Sequence, residues 1–264
     1  MTSNRFTGRT ALVTGAGSGI GRAIALAFAS EGAQVVVTGR RREPLDETVA
    51  LIEEAGGKAL AVTADVTAAD EIQIVVDAAV DLPHPSGGGT PIGTLDVAVN
   101  NAGVFRGGAP LAELSQTAWR EQLDINVTGV FLALQAEIQQ MRTQPNGGAI
   151  VNIASIFGVH ARHPGTAAYA ASKAAVSVLT RGAALDHIRD GVRINAVSPG
   201  AVDTPMSLLP GETESDRADR TRSTLPLGRV STTHEVAAAV LYLASDDATS
   251  VVGTDLVVDS GATA

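Results

Sequence analysis

The sequence predicts an α/β fold in which a parallel sheet is doubly wound, with helices on both faces. Two observations carry this. Short aliphatic runs recur along the whole chain, continuous in Val, Ile, Leu and Ala where a half-exposed strand would alternate with polar residues. Between them lie longer stretches of helical character, and strands alternating with helices imply right-handed βαβ units. The 264 residues are read as one domain, 1–264, because α/β folds of this length commonly form a single unit.

The first run, 10-TALVT, leads directly into 14-TGAGSGIG-21 and the helical stretch 20-IGRAIALAFASEG. Glycines in such a turn let the backbone approach a ligand, and the free N–H groups of the helix suit a phosphate. The turn is not a nucleophile elbow, because Ala16 and Ile20 flank Ser18 where glycines are needed. It is not a P-loop, which ends in Gly-Lys-Ser/Thr, and Ile20 stands where the common dinucleotide fingerprint has its third glycine. The second run, 34-QVVVT, ends at Gly39 and the basic cluster Arg40-Arg41-Arg42, and the third, 58-KALAVT, precedes Asp65-Val66. Residues 82–93, rich in proline and glycine, read as a surface loop insertion.

The fourth run, 95-LDVAVN, opens into 100-NNAG-103. The stretch 117-TAWREQLDINVTGVFLAL-134 reads as a helix with Asn126 in its middle, where asparagine is unfavoured. The fifth run, 149-AIVNIAS-155, ends at Ser155, where an open α/β sheet presents ligand-contacting groups. His160 and His163 follow in a segment read as solvent-exposed loop; the five histidines have no metal-site spacing, so no metal is expected. After 193-RINAVS, residues 203–226 are polar and bracketed by Pro205, Pro210 and Pro226, which suggests an irregular lid or binding loop. The stretches 232-TTHEVAAAVLYLAS and 254-TDLVVD complete the alternation.

Composition narrows the function. No cysteine is present, which removes disulfides and thiolate chemistry. The formal charge of −9 argues against a nucleic-acid partner, which calls for a basic face. The amino terminus lacks the apolar core of a signal peptide, and no apolar run reaches the length of a membrane span. A cytoplasmic protein is expected.

One local pattern stands apart. The chain holds two tyrosines and two lysines, yet Tyr169 and Lys173 sit four residues apart in 166-TAAYAASKAA-175. On a helix this places them on one face. With 14-TGAGSGIG-21, Asp65-Val66, 100-NNAG-103, Asn126, Ser155, 199-PG-200 and Thr204, this pattern resembles the short-chain dehydrogenase/reductase family nearly end to end. Three departures are visible: the 82–93 loop is longer, Ser155 and Tyr169 are one residue further apart than usual, and 259-DSG replaces a frequent second glycine.

The resemblance implies a seven-stranded Rossmann sheet, a nicotinamide cofactor, a homotetramer, and hydride transfer between a ketone and a secondary alcohol. Tyr169 would be the acid/base. A phenol titrates near 10, and a neighbouring ammonium favours its ionised form, so Lys173 would tune it and hold the ribose. Ser155 would bond the substrate oxygen, and Asn126 would complete a proton relay near the lysine. Gly15, Ser18, Gly19, Ile20 and Gly21 would cradle the cofactor, with Asp65 and Val66 at the adenine and Asn101, Ala102 and Gly103 along its centre. Val202 and Thr204 would orient the carboxamide. An NAD site places an acid at the end of the second strand, where this chain has Gly39 and then Arg40. A guanidinium there suits a 2′-phosphate, so NADP(H) is expected, with NAD(H) as the alternative. The substrate is expected to be a small, mostly apolar carbonyl or alcohol. Reduction of a 3-oxoacyl group on an acyl carrier is a second reading, and a non-catalytic cofactor-binding regulator a third, which the intact acid/base set opposes.

Overall fold

A computed structural model describes residues 4–83, 93–106 and 108–264; most of the 82–93 loop therefore lies outside the described residues. The strands are β1 (Thr10–Thr14), β2 (Gln34–Gly39), β3 (Lys58–Thr63), β4 (Val97–Asn100), β5 (Gly148–Ile153), β6 (Val192–Pro199) and β7 (Asp255–Val258). They form one seven-stranded sheet in the order β3-β2-β1-β4-β5-β6-β7. Every neighbouring pair is parallel.

The helices are α1 (Gly19–Ser30), α2 (Arg42–Glu54), α3 (Ala69–Val80), α4 (Gln116–Leu123), α5 (Gly129–Met141), α6 (Ile156–Val159), α7 (Ala167–His187), α8 (Glu214–Thr224) and α9 (Thr233–Ala244). Successive strand residues face opposite sides of the sheet, and both sides are buried. Val13, Val35 and Val37 pack with Ile24 and Phe28 of α1 and Val240 of α9. Leu12, Val36 and Ile150 pack with Val75 of α3, Leu134 of α5 and Val176 of α7. That two-sided burial is why the strand sequences do not alternate.

Two stretches differ from expectation. The predicted helix over 117–134 is interrupted by a π-helical turn, Asp124–Thr128, between α4 and α5. The polar segment 203–226 is not wholly irregular, because α8 lies within it. Thr213 and Asp216 close a capping box at its start, which supplies the missing partners for its first amides.

Arg193 on β6 fastens α9 to the sheet. Its guanidinium donates to the carbonyls of Leu243 (2.8 Å), Ala244 (3.3 Å), Ser245 (3.0 Å) and Ala248 (3.1 Å). A cation is favoured at a helix carboxyl end, where carbonyls lack partners. Arg193→Ala is expected to destabilise the protein by about 2–4 kcal/mol, read as a lower urea midpoint with an unchanged slope. Arg193→Lys should recover less than half, since an ammonium cannot span four carbonyls; a variant as stable as the parent would refute this.

Candidate active site

The strand order reverses between β1 and β4, and open α/β sheets bind ligands at such a switch point, beyond the carboxyl ends of the strands. The turn after β1 and the segment after β4 meet there. Asn101 donates through Nδ2 to the carbonyls of Thr14 (2.9 Å) and Gly15 (3.2 Å). In return the Thr14 hydroxyl accepts from the backbone amides of Asn101 and Ala102, both at 3.0 Å. Gly15 has φ +65°, and a Cβ there would lie 2.9 Å from Ala102 Cα; a Cβ on Gly21 would run into the Gly15 carbonyl and the Asn101 amide. The turn is thus a bare-backbone cradle at the amino end of α1, with the Ser18 side chain making no capping bond. Ile20 continues from it into α1 and packs against the core.

Arg22 holds the cradle from behind, donating to the Gly17 carbonyl (2.5 Å) and Thr48 Oγ1 (3.0 Å) and pairing with Glu47 (2.7 Å). Arg22 thus joins the site without having been expected there, and Thr14, the first residue of the expected turn, gains the role of tying it to the segment after β4. For Arg22 the sequence does hold a signal, since a cation in the first turn of a helix opposes the macrodipole and calls for a special role.

The catalytic candidates converge on the far side of the switch. Asn126 is fully buried in the π-helical turn. Its Oδ1 accepts from the Val104 amide (2.8 Å), while Nδ2 donates to the Val104 carbonyl (2.9 Å) and Ser172 Oγ (3.0 Å). Its side chain therefore fixes the loop after β4. Lys173 is buried and donates to the Ile153 carbonyl at 2.8 Å. A Cβ on Gly103 would stand 3.3 Å from both Asn126 Oδ1 and Lys173 Nζ, so these three residues share one point.

Ser155 is the N-cap of α6, its Oγ accepting from the Phe157 amide at 3.2 Å. Burial pushes the Tyr169 phenol above its ordinary value, and a hydrogen bond with Ser155 opposes that rise. Burial also lowers the Lys173 ammonium to about 8. Lys173 Nζ lies 6.0 Å from the Tyr169 ring centroid. The Phe105 ring stacks edge-on against Tyr169, 5.2 Å between centroids, and forms one wall of the site.

Further along the sheet edge, Arg40 is exposed, and among the described residues no carboxylate lies within 4.0 Å of it. Asp65 is held below the usual carboxylate range, first by the Thr67 amide (3.0 Å) and only last by the nearby Arg40 charge. Val66 is buried against Gly129, where a Cβ would meet its Cγ2 at 2.8 Å. Val202 is buried and bridged to Ser231, and its carbonyl accepts the Thr204 amide at 2.7 Å. Of the basic cluster, Arg42 pairs with Asp46 at 2.7 Å. His160 is not simply a solvated loop residue: Nε2 lies 3.3 Å from Asp255, whose side chain is almost fully buried. His163 contacts the Pro164 carbonyl at 2.8 Å.

The cradle, the exposed Arg40 and the buried Lys173 fit a dinucleotide: bare amides for phosphates, a cation at the ribose edge, and an ammonium beneath the reacting end.

Comparison with known proteins agrees. A family model described as enoyl-(acyl carrier protein) reductase matches residues 15–263. The chain is 41% identical to cis-4-hydroxycyclohexanecarboxylate dehydrogenase of Sinomonas cyclohexanicum, over 98% of both chains. It is 39% identical to 3β-hydroxysteroid dehydrogenase 1 of Eggerthella lenta, over 97% of this chain and 94% of the relative. Among solved structures, levodione reductase superposes with a TM-score of 0.89 at 33% identity, covering 98% of this chain and 99% of the other. The chain belongs to the short-chain dehydrogenase/reductase family. It is an oxidoreductase of alcohol and ketone groups that works with a nicotinamide cofactor.

Proposed function

We propose that the protein is an NADP(H)-dependent dehydrogenase/reductase of ring-borne secondary alcohols and ketones, with Tyr169 as acid/base. The observation that carries the reading is the convergence of Tyr169, Ser155, Lys173 and Asn126 beside the cradle. Bound nicotinamide would donate or accept the hydride at the carbonyl carbon. In reduction the Tyr169 hydroxyl gives its proton to the carbonyl oxygen, and the Ser155 hydroxyl bonds the same oxygen. Lys173 favours the ionised phenol that remains. Asn126 keeps the Val104 segment, and so the neighbouring Phe105 wall, in place.

Gly15, Ser18, Gly19, Ile20 and Gly21 would hold the phosphates. Asp65, Val66 and Asn101–Gly103 would line the adenosine half and centre, and Val202 and Thr204 the carboxamide. Arg40, free of a carboxylate partner among the described residues, would take the 2′-phosphate. Two relatives carry ring alcohols in their names, and the aromatic wall Phe105 beside Tyr169 suits such apolar rings. Assembly into a homotetramer would cover Phe131, Val178 and Leu185, which α5 and α7 leave exposed.

The test follows NADPH and, separately, NADH consumption with cyclohexanone, 4-oxocyclohexanecarboxylate, a 3-oxosteroid and open-chain ketones. Ring ketones should turn over with NADPH preferred about 10–100-fold in kcat/KM, and Arg40→Ala should erase that preference. A preference for NADH would make Arg40 an ordinary surface arginine. Turnover confined to 3-oxoacyl thioesters would move the reading to an acyl-carrier substrate.

A further inference from the structure

We propose that Arg217 is a positioning residue for the reaction: from beneath α8 it fixes Thr204 against the cofactor cradle. The inference rests on the reading of Thr204 as a cofactor contact. Arg217 is 6% exposed, whereas Arg222 on the same helix leaves 71% of its side chain in solvent. Burying a guanidinium is unfavourable unless its donors are matched. Here every acceptor it meets belongs to one short segment. Arg217 Nη1 donates to the Thr204 carbonyl (3.2 Å) and Ser207 Oγ (2.9 Å), and Nη2 pairs with Asp203.

A second guanidinium supports the first. Arg220 grips both Glu212 oxygens (2.6 and 2.9 Å) and donates to the Ser207 carbonyl (3.3 Å). The Glu212 carboxyl is held near about 2, first by that Arg220 bond and then by the Leu209 amide. It stays charged at any working pH, so this grip does not titrate away.

The far side of the clamped segment is the cradle. A Cβ on Gly19, the first residue of α1, would stand 3.3 Å from Thr204 Cγ2. The path α8–Arg217–Thr204 therefore leads from α8 to the residue packed closely over the Gly19 turn. If Arg217 served only to hold the loop down, its loss would lower stability and leave ligand affinities alone. As a positioning residue, it should set cofactor and substrate affinity together.

The experiment measures the Kd of NADPH by fluorescence, the KM of a working ketone, and amide hydrogen exchange across 212–226 with and without NADPH. In Arg217→Met the NADPH Kd should rise on the order of tenfold, the ketone KM should rise alongside it, and NADPH should no longer slow exchange in α8. Arg217→Lys should restore part of each, and Ser207→Ala, which removes one acceptor, should shift them less in the same direction. Arg222→Ala should change none of them. Unchanged affinities and retained α8 protection in folded Arg217→Met would overturn the proposal. Should Arg217→Met fail to fold, Arg217→Lys and Ser207→Ala decide: raised Kd and KM support the clamp, and wild-type values overturn it. Thr204→Ala separates the two layers. If it weakens NADPH binding while Arg217→Met does not, the clamp is wrong; if it leaves binding intact, Thr204 is not a cofactor contact and the inference falls with that placement.

Discussion

Tyr169→Phe is expected to lower kcat by roughly 10²–10⁴-fold, the usual range for a positioned general acid or base. NADPH affinity should stay within about twofold and thermal stability nearly unchanged. The substitution keeps the ring that stacks on Phe105 at 5.2 Å and removes only the hydroxyl. Tyr169 is only partly buried and the ring stays in place, so little stability cost is expected. Lys173→Met should have a different signature. Burial already lifts the phenol. Below about pH 8, where Lys173 keeps its proton, the ammonium 6.0 Å from the ring centroid opposes that rise, and its loss lets the phenol climb further. The pH at which alcohol oxidation reaches half its maximum should then move up. Undiminished turnover in Tyr169→Phe, with cofactor still bound, would remove the acid/base assignment and return the binding-protein reading.

Much of the frame is legible in the sequence because its causes are local. Continuous Val and Ala runs such as 34-QVVVT mean burial on both faces, and β2 has that burial along its length. The glycines of 14–21 read as a cradle because close backbone approach requires bare Cα positions, and the tight surroundings of Gly15 and Gly21 have that origin. What the sequence hides depends on distant partners. The π-helical turn at Asp124–Thr128 keeps an apolar pattern that passes for one helix, and only the burial of Asn126 against Val104 reveals it. Helix α8 has no apolar face for a periodicity to detect; capping and guanidinium contacts hold it instead. His160 reads as a loop residue until Asp255, from the last strand, is placed 3.3 Å from it. Arg217 is invisible for the same reason.

Glu137 offers a large expected pH effect on stability from a single buried carboxyl. It is buried on α5, and burial raises its carboxyl to about 7, only partly opposed by a hydrogen bond from Asn100. Asn100 Nδ2 donates to Glu137 Oε2 (2.9 Å) and to Asn152 Oδ1 (3.0 Å), and Asn152 passes the chain on to Thr180 (2.8 Å). Glu137 Oε1 and Asn100 Oδ1 are buried without partners among the described residues, which suits a neutral acid better than a carboxylate. The folded state holds the proton more tightly than the unfolded chain, where a carboxyl titrates near 4.5. Its contribution is therefore complete below about pH 4.5 and is lost as pH climbs to about 7. At about 1.4 kcal/mol per pH unit, the loss amounts to roughly 3 kcal/mol. Glu137→Gln keeps the shape and cannot ionise, so it should match the parent near pH 5 and exceed it by about 2–3 kcal/mol at pH 8. Urea unfolding of both proteins from pH 5 to 8 measures this, because subtracting the two curves cancels every other titrating group. Parallel curves would mean that Glu137 finds solvent or a partner when ionised. A gap opening with pH would mean that the network under 100-NNAG-103 is built around a protonated acid, and that ionising it costs the fold the interactions of that network.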